Sequence, residues 1–100
     1  MEGLDLIEFY GAECPPCKMV AMHIKKLERE VGIAIQRLEV WHNSANANLM
    51  MKYAQSRCNG VPFLYNKKND TFLCGDVTYE QIREWAEKGR VQSGTRGEAE

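Results

Sequence analysis

The sequence predicts an α/β domain with the element order β-α-β-α-β-β-α, in which a four-stranded mixed sheet carries helices on both faces. Three observations lead to this prediction. A short apolar run ends at two closely spaced cysteines, after which apolar residues recur at the spacing of a helix. A second strand-like segment and a second helical segment follow. Two further apolar runs then flank the polar tetrapeptide KKND, which is typical of a hairpin turn.

The first strand and the first helix lie on either side of the two cysteines. The segment LDLIEFY, residues 4–10, is rich in apolar residues and ends at a glycine. From Pro15 the apolar residues follow a helical stripe, and Gly32 supplies the residue that commonly ends a helix. The segment IAIQRLEVW, residues 33–41, alternates apolar and polar residues as a half-buried strand does. The stripe consists of Val20, Ile24, Leu27 and Val31.

The second half of the chain predicts a helix, a hairpin and a final helix. Ser44 is the expected N-cap of a helix that runs to about Arg57. The segments VPFLYN and TFLCG are the two strands of the hairpin. Thr78 and Gln81 have the spacing of a capping box at the start of the last helix, which we expect to end near Gly89. We expect residues 90–100 to form a flexible polar tail.

The topology of the predicted sheet brings distant residues to one end. Two strands joined by a right-handed crossover through a helix run parallel, so the turn with Cys14 lies at the same end as Trp41 and His42. The hairpin leaves this end and returns to it with Cys74, and counting outward from the turn places Phe63 opposite Cys74. The same end receives the residues that precede the third strand: Cys58, Val61 and Pro62.

The composition limits the classes of function. With 100 residues and 44% hydrophobic side chains, the chain is large enough for one core, and we expect a single domain over residues 1–89. The 13 basic and 14 acidic residues give a net charge of −1 without a basic cluster, which argues against nucleic acid and anionic membranes as partners. Neither a membrane span nor a secretory signal is apparent. We therefore expect a cytoplasmic monomer without a cofactor, or a domain cut from a longer protein.

The cysteine pair carries the strongest chemical signal. Only Pro15 and Pro16 separate Cys14 from Cys17, and the residues alone are consistent with a redox dithiol, half of a metal site or two structural cysteines. A thiolate at a helix N-terminus is stabilised by the macrodipole and by unpaired amides. Because prolines have no N–H, only the amides of Cys17 and later residues can point at the Cys14 sulfur. The charge of Glu13 should weaken this stabilisation and favour a reducing or intermediate potential.

The segments EFYGAECPPCK and GVPFL together resemble the thioredoxin superfamily, and EFY before the dithiol is most similar to the thioredoxin-type domains of protein disulfide isomerases. The resemblance spans residues 4–88 and implies the minimal thioredoxin-like fold. It implies a thiol–disulfide oxidoreductase in which Cys14 is the nucleophile and Cys17 resolves the mixed disulfide. It further implies that Pro62 is a cis-proline facing the dithiol and that Glu8 is a buried, catalytic carboxylate paired with Arg37.

The chain departs from the family in ways that bear on its substrates. Glu13 stands where the family usually has a tryptophan, and Trp41 is the candidate to replace it. The basic residue that glutaredoxins carry just before the dithiol is missing, so we expect protein disulfides rather than glutathione as substrates. A thiol or a reductase would then supply the electrons. We expect Val61 and Pro62 to offer backbone groups to an extended substrate segment. The full set of residues expected to bind substrate is Val61, Pro62, Pro15, Pro16 and Trp41.

Two cysteines remain outside the motif. Cys58 and Cys74 are either inert apolar residues, a second disulfide, or, together with Cys14 and Cys17, ligands of a zinc or iron–sulfur site. The hairpin register brings Cys58 and Cys74 near the separation that a disulfide requires. Our hypothesis is that these two cysteines form a second, regulatory disulfide under oxidation. His42 at the same end is a candidate for tuning a thiol.

Overall fold

Residues 5–90 are described by the computed structural model, and they follow the predicted order β-α-β-α-β-β-α. The predicted polar tail, residues 90–100, lies outside the described range except for Arg90, which is the last residue of the final helix. None of the helices in the described range is long and apolar enough to cross a membrane. The elements are β1 (Leu6–Tyr10), α1 (Pro15–Val31), β2 (Gln36–Glu39), α2 (Ser44–Ala54), β3 (Phe63–Asn66), β4 (Thr71–Cys74) and α3 (Tyr79–Arg90).

The four strands form one mixed sheet in the order β2-β1-β3-β4. β1 and β2 run parallel, as a crossover through α1 requires, and β3 pairs antiparallel with both β1 and β4. Phe63 lies opposite Cys74 in the hairpin, which confirms the predicted register. The central strands β1 and β3 are buried on both faces, so the helices cover the two sides of the sheet.

Two apolar clusters, one on each face, hold the helices against the sheet. The first joins α1 and α3 to Leu6 of β1 and Leu64 of β3. The second joins α2 to Ile7 and Phe9 of β1 and to Phe63 of β3. Successive residues of a strand point to opposite faces, which is why neighbours such as Leu6 and Ile7 belong to different clusters. Each large apolar side chain that is fully buried contributes about 1.5–3 kcal/mol to stability.

The ends of α1 and α3 agree with the local signals. Gly32 adopts a left-handed conformation with φ of 81° and donates its N–H to the Glu28 carbonyl, as predicted for the end of α1. The Thr78 hydroxyl accepts from the Gln81 N–H at 3.1 Å, and the Gln81 side chain accepts from the Thr78 N–H at 2.9 Å. The predicted capping box is therefore confirmed.

β2 is shorter than predicted. Ile35 and Val40 on either side of the strand are both buried, but Gln36 and Arg37 between them are exposed, so burial does not alternate through the segment. Only Gln36–Glu39 pair with β1, and the Val40 N–H still donates to the Tyr10 carbonyl at 2.8 Å beyond the strand. The apolar pattern thus located the strand without setting its ends.

Both ends of α2 differ from the prediction. The N-cap is Asn43 rather than Ser44, and the Asn43 side chain accepts from the Asn46 N–H at 3.0 Å. Asparagine and serine are equally good N-caps, so local preference alone did not distinguish these neighbours.

The helix also ends at Ala54, three residues earlier than predicted, because Gln55 and Ser56 adopt left-handed φ values of 50° and 68°. The side chain of Arg57 then donates to the carbonyls of Tyr53 and Ala54, which closes the end of the helix.

Candidate active site

The two cysteines of the CPPC motif lie where β1 gives way to α1. A turn follows β1, and the Cys14 N–H donates to the Gly11 carbonyl at 3.2 Å across it. Cys14 is the N-cap of α1, and the two prolines occupy the first helical positions, where a missing N–H costs nothing. Cys14 forms a disulfide with Cys17, with 5.2 Å between their Cα atoms, and both residues are 2% exposed.

The backbone of α1 presents one amide to the sulfur of Cys14. The Cys17 N–H donates to Cys14 Sγ at 3.1 Å, which confirms the expectation that the first usable amide is that of Cys17. Pro15 and Pro16 have no amide hydrogen to offer. When the disulfide is reduced, this hydrogen bond and the positive end of the α1 dipole both favour the thiolate form of Cys14.

The segment before β3 lies opposite the dithiol. The Val61 carbonyl oxygen lies 3.9 Å from Cys14 Sγ, and the peptide bond between Val61 and Pro62 is cis. Pro62 is buried, and its carbonyl accepts the Gly75 N–H at 2.9 Å. Of the two residues expected to offer backbone groups to a substrate, Val61 is therefore the one whose carbonyl faces the sulfur.

Glu8 is fully buried on β1 and forms an ion pair with Arg37 of β2. Their Cα atoms are partners across the parallel ladder, and Arg37 Nε donates to Glu8 Oε1 at 2.5 Å. The Arg37 guanidinium also stacks over the ring of Tyr10. Burial raises the pKa of Glu8, and the hydrogen bond and charge of Arg37 offset this only in part. The other carboxylate oxygen of Glu8 has no hydrogen-bond partner in the described part of the chain.

The position of Glu8 along β1 places it in the same layer as α1. Glu8 lies two residues beyond Leu6 and therefore points to the same face of the sheet, which α1 covers. Cys17 belongs to the buried stripe with which α1 packs on that face. Glu8, in the middle of β1, and the resolving-cysteine candidate thus lie in the same layer between the sheet and α1.

A carboxylate that the sequence analysis did not identify joins the two loops at this end. Glu39, the last residue of β2, accepts backbone N–H groups from Ala12 at 2.9 Å, Trp41 at 3.2 Å and His42 at 2.8 Å. Burial would raise the pKa of Glu39, but the amides of Ala12 and His42 outweigh it and lower the pKa below its ordinary value. A glutamate at the end of a strand gives little local signal, since the donor that makes it a connection between loops, the Ala12 N–H, lies 27 residues away along the chain.

Glu13 and His42 connect the same two loops on the surface. His42 Nε2 lies 2.8 Å from a carboxylate oxygen of Glu13, and both side chains are exposed. The hydrogen bond with Glu13, together with the charges of Glu13 and Glu39, raises the pKa of His42. The charge of Glu13 beside Cys14, which we expected to weaken stabilisation of the thiolate, is therefore paired with His42 whenever His42 is protonated.

Trp41 covers the turn before the dithiol. The side chain is 51% exposed, yet its indole packs directly on Gly11, where an added Cβ would collide with the ring. Gly11 is thus required by a close approach rather than by an unusual backbone conformation, since its φ is not left-handed. Trp41, the predicted replacement for the missing tryptophan, lies beside the CPPC turn.

The remaining cysteines form a second disulfide. Cys58 and Cys74 are joined with 5.7 Å between their Cα atoms, which links the loop after α2 to the end of β4. Cys58 is buried at 7% exposure, whereas Cys74 is exposed. The alternative of a four-cysteine metal site finds no support in this arrangement, because all four sulfurs are taken up in two disulfides.

One group of side chains within residues 5–90 brings three metal-ligating atoms within 4.8 Å of one another, and it consists of Glu13, Glu39 and His42. Each oxygen of Glu39 already accepts a backbone N–H, and His42 already contacts Glu13. We interpret this group as the hydrogen-bonded connection between two loops.

Comparisons with known proteins address the fold. No protein-family model and no curated protein sequence matches the chain. Among solved structures, a point mutant of the thioredoxin-like protein BC3987 matches with a TM-score of 0.62 and 16% identity, over 80% of this chain and 91% of that one. Chloroplastic thioredoxin z matches with a TM-score of 0.64 and 20% identity, over 85% of this chain and 76% of that one. The chain therefore has a thioredoxin-like fold.

Proposed function

We propose that this protein is a thiol–disulfide oxidoreductase that exchanges electrons with protein disulfides through Cys14 and Cys17. The observation that carries the proposal is the Cys14–Cys17 disulfide at the N-terminus of α1, with the Cys17 amide directed at Cys14 Sγ. A thiolate held by amide donors and a second cysteine within bonding distance are what thiol–disulfide exchange requires.

In the proposed reaction, the reduced protein transfers two electrons to its substrate. The Cys14 thiolate attacks one sulfur of a substrate disulfide, forms a mixed disulfide and releases the other substrate sulfur as a thiolate, which takes up a proton. Cys17 then loses its proton and attacks Cys14 Sγ, and the second substrate sulfur leaves and is protonated. The product is the oxidised pair, and a dithiol donor returns it to the reduced state by the same steps in reverse.

Glu8 is the proposed acceptor of the Cys17 proton. Its raised pKa brings the carboxyl closer to neutral pH than an exposed glutamate, which suits a group that must take and return a proton. Its unpartnered oxygen and its position in the same layer as Cys17 support this role. Arg37 limits the rise in the pKa of Glu8, because its positive charge and hydrogen bond stabilise the carboxylate form.

The proposed substrate is an extended protein segment that lies across the dithiol. The Val61 carbonyl facing Cys14 supplies a backbone acceptor, as in the addition of a strand to a sheet. Exposed apolar side chains surround the same edge: Trp41 covers Gly11, and Pro15 and Met19 lie one turn apart on α1 and share a face. This surface fits a protein substrate better than a small charged thiol.

Reduction of insulin by dithiothreitol tests the proposal. The oxidised protein should accelerate the reaction, the Cys14→Ser variant should fall to the rate without protein, and the Cys17→Ser variant should accumulate a mixed disulfide detectable by mass spectrometry. The double variant Cys58→Ser with Cys74→Ser serves as the control, because it loses two cysteines yet should still turn over. Equal rates with and without the wild-type protein would refute the proposal.

A further inference from the structure

We propose that the Cys58–Cys74 disulfide is a second redox site, which opens and closes reversibly and thereby controls the backbone that faces Cys14. The inference adds regulation to the proposed oxidoreductase, and its effect on substrates rests on that function. Its chemistry does not, since the second disulfide can be studied in a chain without the first.

The two cysteines of the second disulfide differ in their exposure to solvent. Cys74 ends the edge strand β4 and is exposed, whereas Cys58 is packed in the cluster that holds α2 against the sheet. An incoming thiolate can therefore reach Cys74 Sγ far more readily than Cys58 Sγ. A purely structural disulfide is usually protected by the burial of both cysteines, whereas Cys74 of this pair is exposed.

Reduction of the second disulfide by a small thiol takes two exchange steps. The thiolate of a small thiol attacks Cys74 Sγ and forms a mixed disulfide, and the bond to Cys58 breaks. Cys58 leaves as a thiolate and takes up a proton, and a second thiol then releases Cys74 by attacking the attached sulfur. Two thiols are oxidised to one disulfide, and two electrons and two protons are delivered to the protein.

The fold has a place for the reduced form of Cys58. Its sulfur lies 3.2 Å from the Gly60 carbonyl oxygen, so the thiol formed on reduction has a hydrogen-bond acceptor at hand. Because Cys58 also remains packed among apolar side chains, opening the disulfide should not unfold the domain. The site therefore has two stable states, which a redox switch requires.

The disulfide is one of two links between residues 58–62 and the end of β4. At one end of residues 58–62, Cys58 is bonded to Cys74, and at the other the Pro62 carbonyl accepts the N–H of Gly75. Val61, with its carbonyl 3.9 Å from Cys14 Sγ, lies between the two.

The segment between these two links is packed unevenly. Val61 is partly buried against the second apolar cluster, whereas a Cβ added at Gly60 would meet nothing within 4 Å. Reduction removes the covalent link and leaves the hydrogen bond and the packing of Val61, so the Val61 carbonyl gains freedom to move relative to Cys14.

A redox titration tests the chemistry of the site. The Cys14→Ser, Cys17→Ser double variant of the full chain is equilibrated in glutathione buffers of graded ratio, alkylated and mapped by mass spectrometry. We expect Cys58 and Cys74 to become alkylatable together in one step, with the intermediate glutathione adduct on Cys74. Resistance to reduction until denaturant is added, an adduct on Cys58, or alkylation of both thiols at every ratio would each overturn the proposal.

A second measurement tests the coupling to Cys14. In a Cys17→Ser background, the rate at which Cys14 attacks a disulfide-containing peptide is compared with and without the additional Cys58→Ser and Cys74→Ser changes. Freeing about one residue of backbone should slow the peptide reaction about fivefold, while attack on a small aromatic disulfide, which does not need Val61, stays unchanged. Equal slowing of both reactions, or of neither, would contradict control through the segment.

This comparison also separates the two proposals. Failure of the insulin assay would remove the proposed function but leave the titration of the second disulfide intact. Reversible opening without any effect on the peptide reaction would leave the proposed function intact and remove the regulation.

Discussion

Replacing Gly11 with alanine tests how the turn before the dithiol is built. Gly11 is buried beneath the indole of Trp41, and a Cβ at this position would fall inside van der Waals contact with three ring atoms. Its φ is not left-handed, so the backbone accepts alanine without strain. The Gly11→Ala variant therefore isolates one contact.

Two effects of opposite sign determine the change in stability. Alanine restricts the unfolded chain more than glycine does. Where alanine can adopt the native backbone conformation, this stabilises the folded protein by about 0.4–1 kcal/mol. Inserting a carbon into a filled space costs about 1–3 kcal/mol. The overlap with the ring is severe, but Trp41 is 51% exposed and can swing outward, so we expect a net loss of about 1 kcal/mol in the free energy of unfolding.

Urea unfolding of the oxidised protein, followed by far-ultraviolet circular dichroism, measures this loss. The matched control is Gly60→Ala, where the added carbon meets nothing within 4 Å and the protein should be unchanged or slightly stabilised. In a Trp41→Ala background, Gly11→Ala should no longer destabilise. If Gly11→Ala lowers the free energy of unfolding equally with and without the indole, the contact with Trp41 is not the cause of the loss.

Three further predictions follow from charges and from the second disulfide. Because burial raises the pKa of Glu8 above its ordinary 4.5, the folded protein holds this proton more tightly than the unfolded chain, and stability falls as pH rises from 4.5 through the raised value. The Glu8→Gln variant should therefore gain stability relative to wild type in urea unfolding as the pH rises above 4.5, and a difference that does not change with pH would contradict this. Glu13→Gln should lower the pKa of His42 towards its ordinary 6.5 in an NMR titration, since the hydrogen bond and charge of Glu13 raise it; an unchanged value would argue against the pair. Replacing both Cys58 and Cys74 with serine should remove about 3 kcal/mol of stability under oxidising conditions, because the disulfide closes a loop of 16 residues, and much less under reduction.

Much of the fold was predictable because its signals are local or follow from general rules of topology. The end of α1 at Gly32 and the capping box of Thr78 and Gln81 depend on residues a few positions apart. The parallel β1–β2 pair follows from the handedness of the crossover, and the pairing of Phe63 with Cys74 follows from the length of the hairpin turn. The position of the CPPC motif at a strand-to-helix turn was predictable for the same reasons.

The errors concern element boundaries, where neighbours compete. Asn43 and Ser44 are both good N-caps, and the choice depends on which side chain reaches an amide in the folded helix. α2 ends early because Gln55 and Ser56 are left-handed, and Arg57 then donates to the end of the helix and pairs with Asp70 in the hairpin turn. Such choices are made by contacts that the local sequence does not contain.

By itself, the sequence determined the order of the elements, the register of the hairpin and the meeting of four cysteines at one end of the sheet, since each depends on periodicity, turn length or crossover handedness. The tertiary structure alone decided how that end is held together. Glu39 accepts the N–H of Ala12 from a loop 27 residues away, and Trp41 lies on Gly11. These contacts depend on where side chains from separate loops come to lie after packing, to within about 1 Å, and a hydrogen bond or a steric overlap is lost over that distance. No pattern of residues along the chain records positions at that scale.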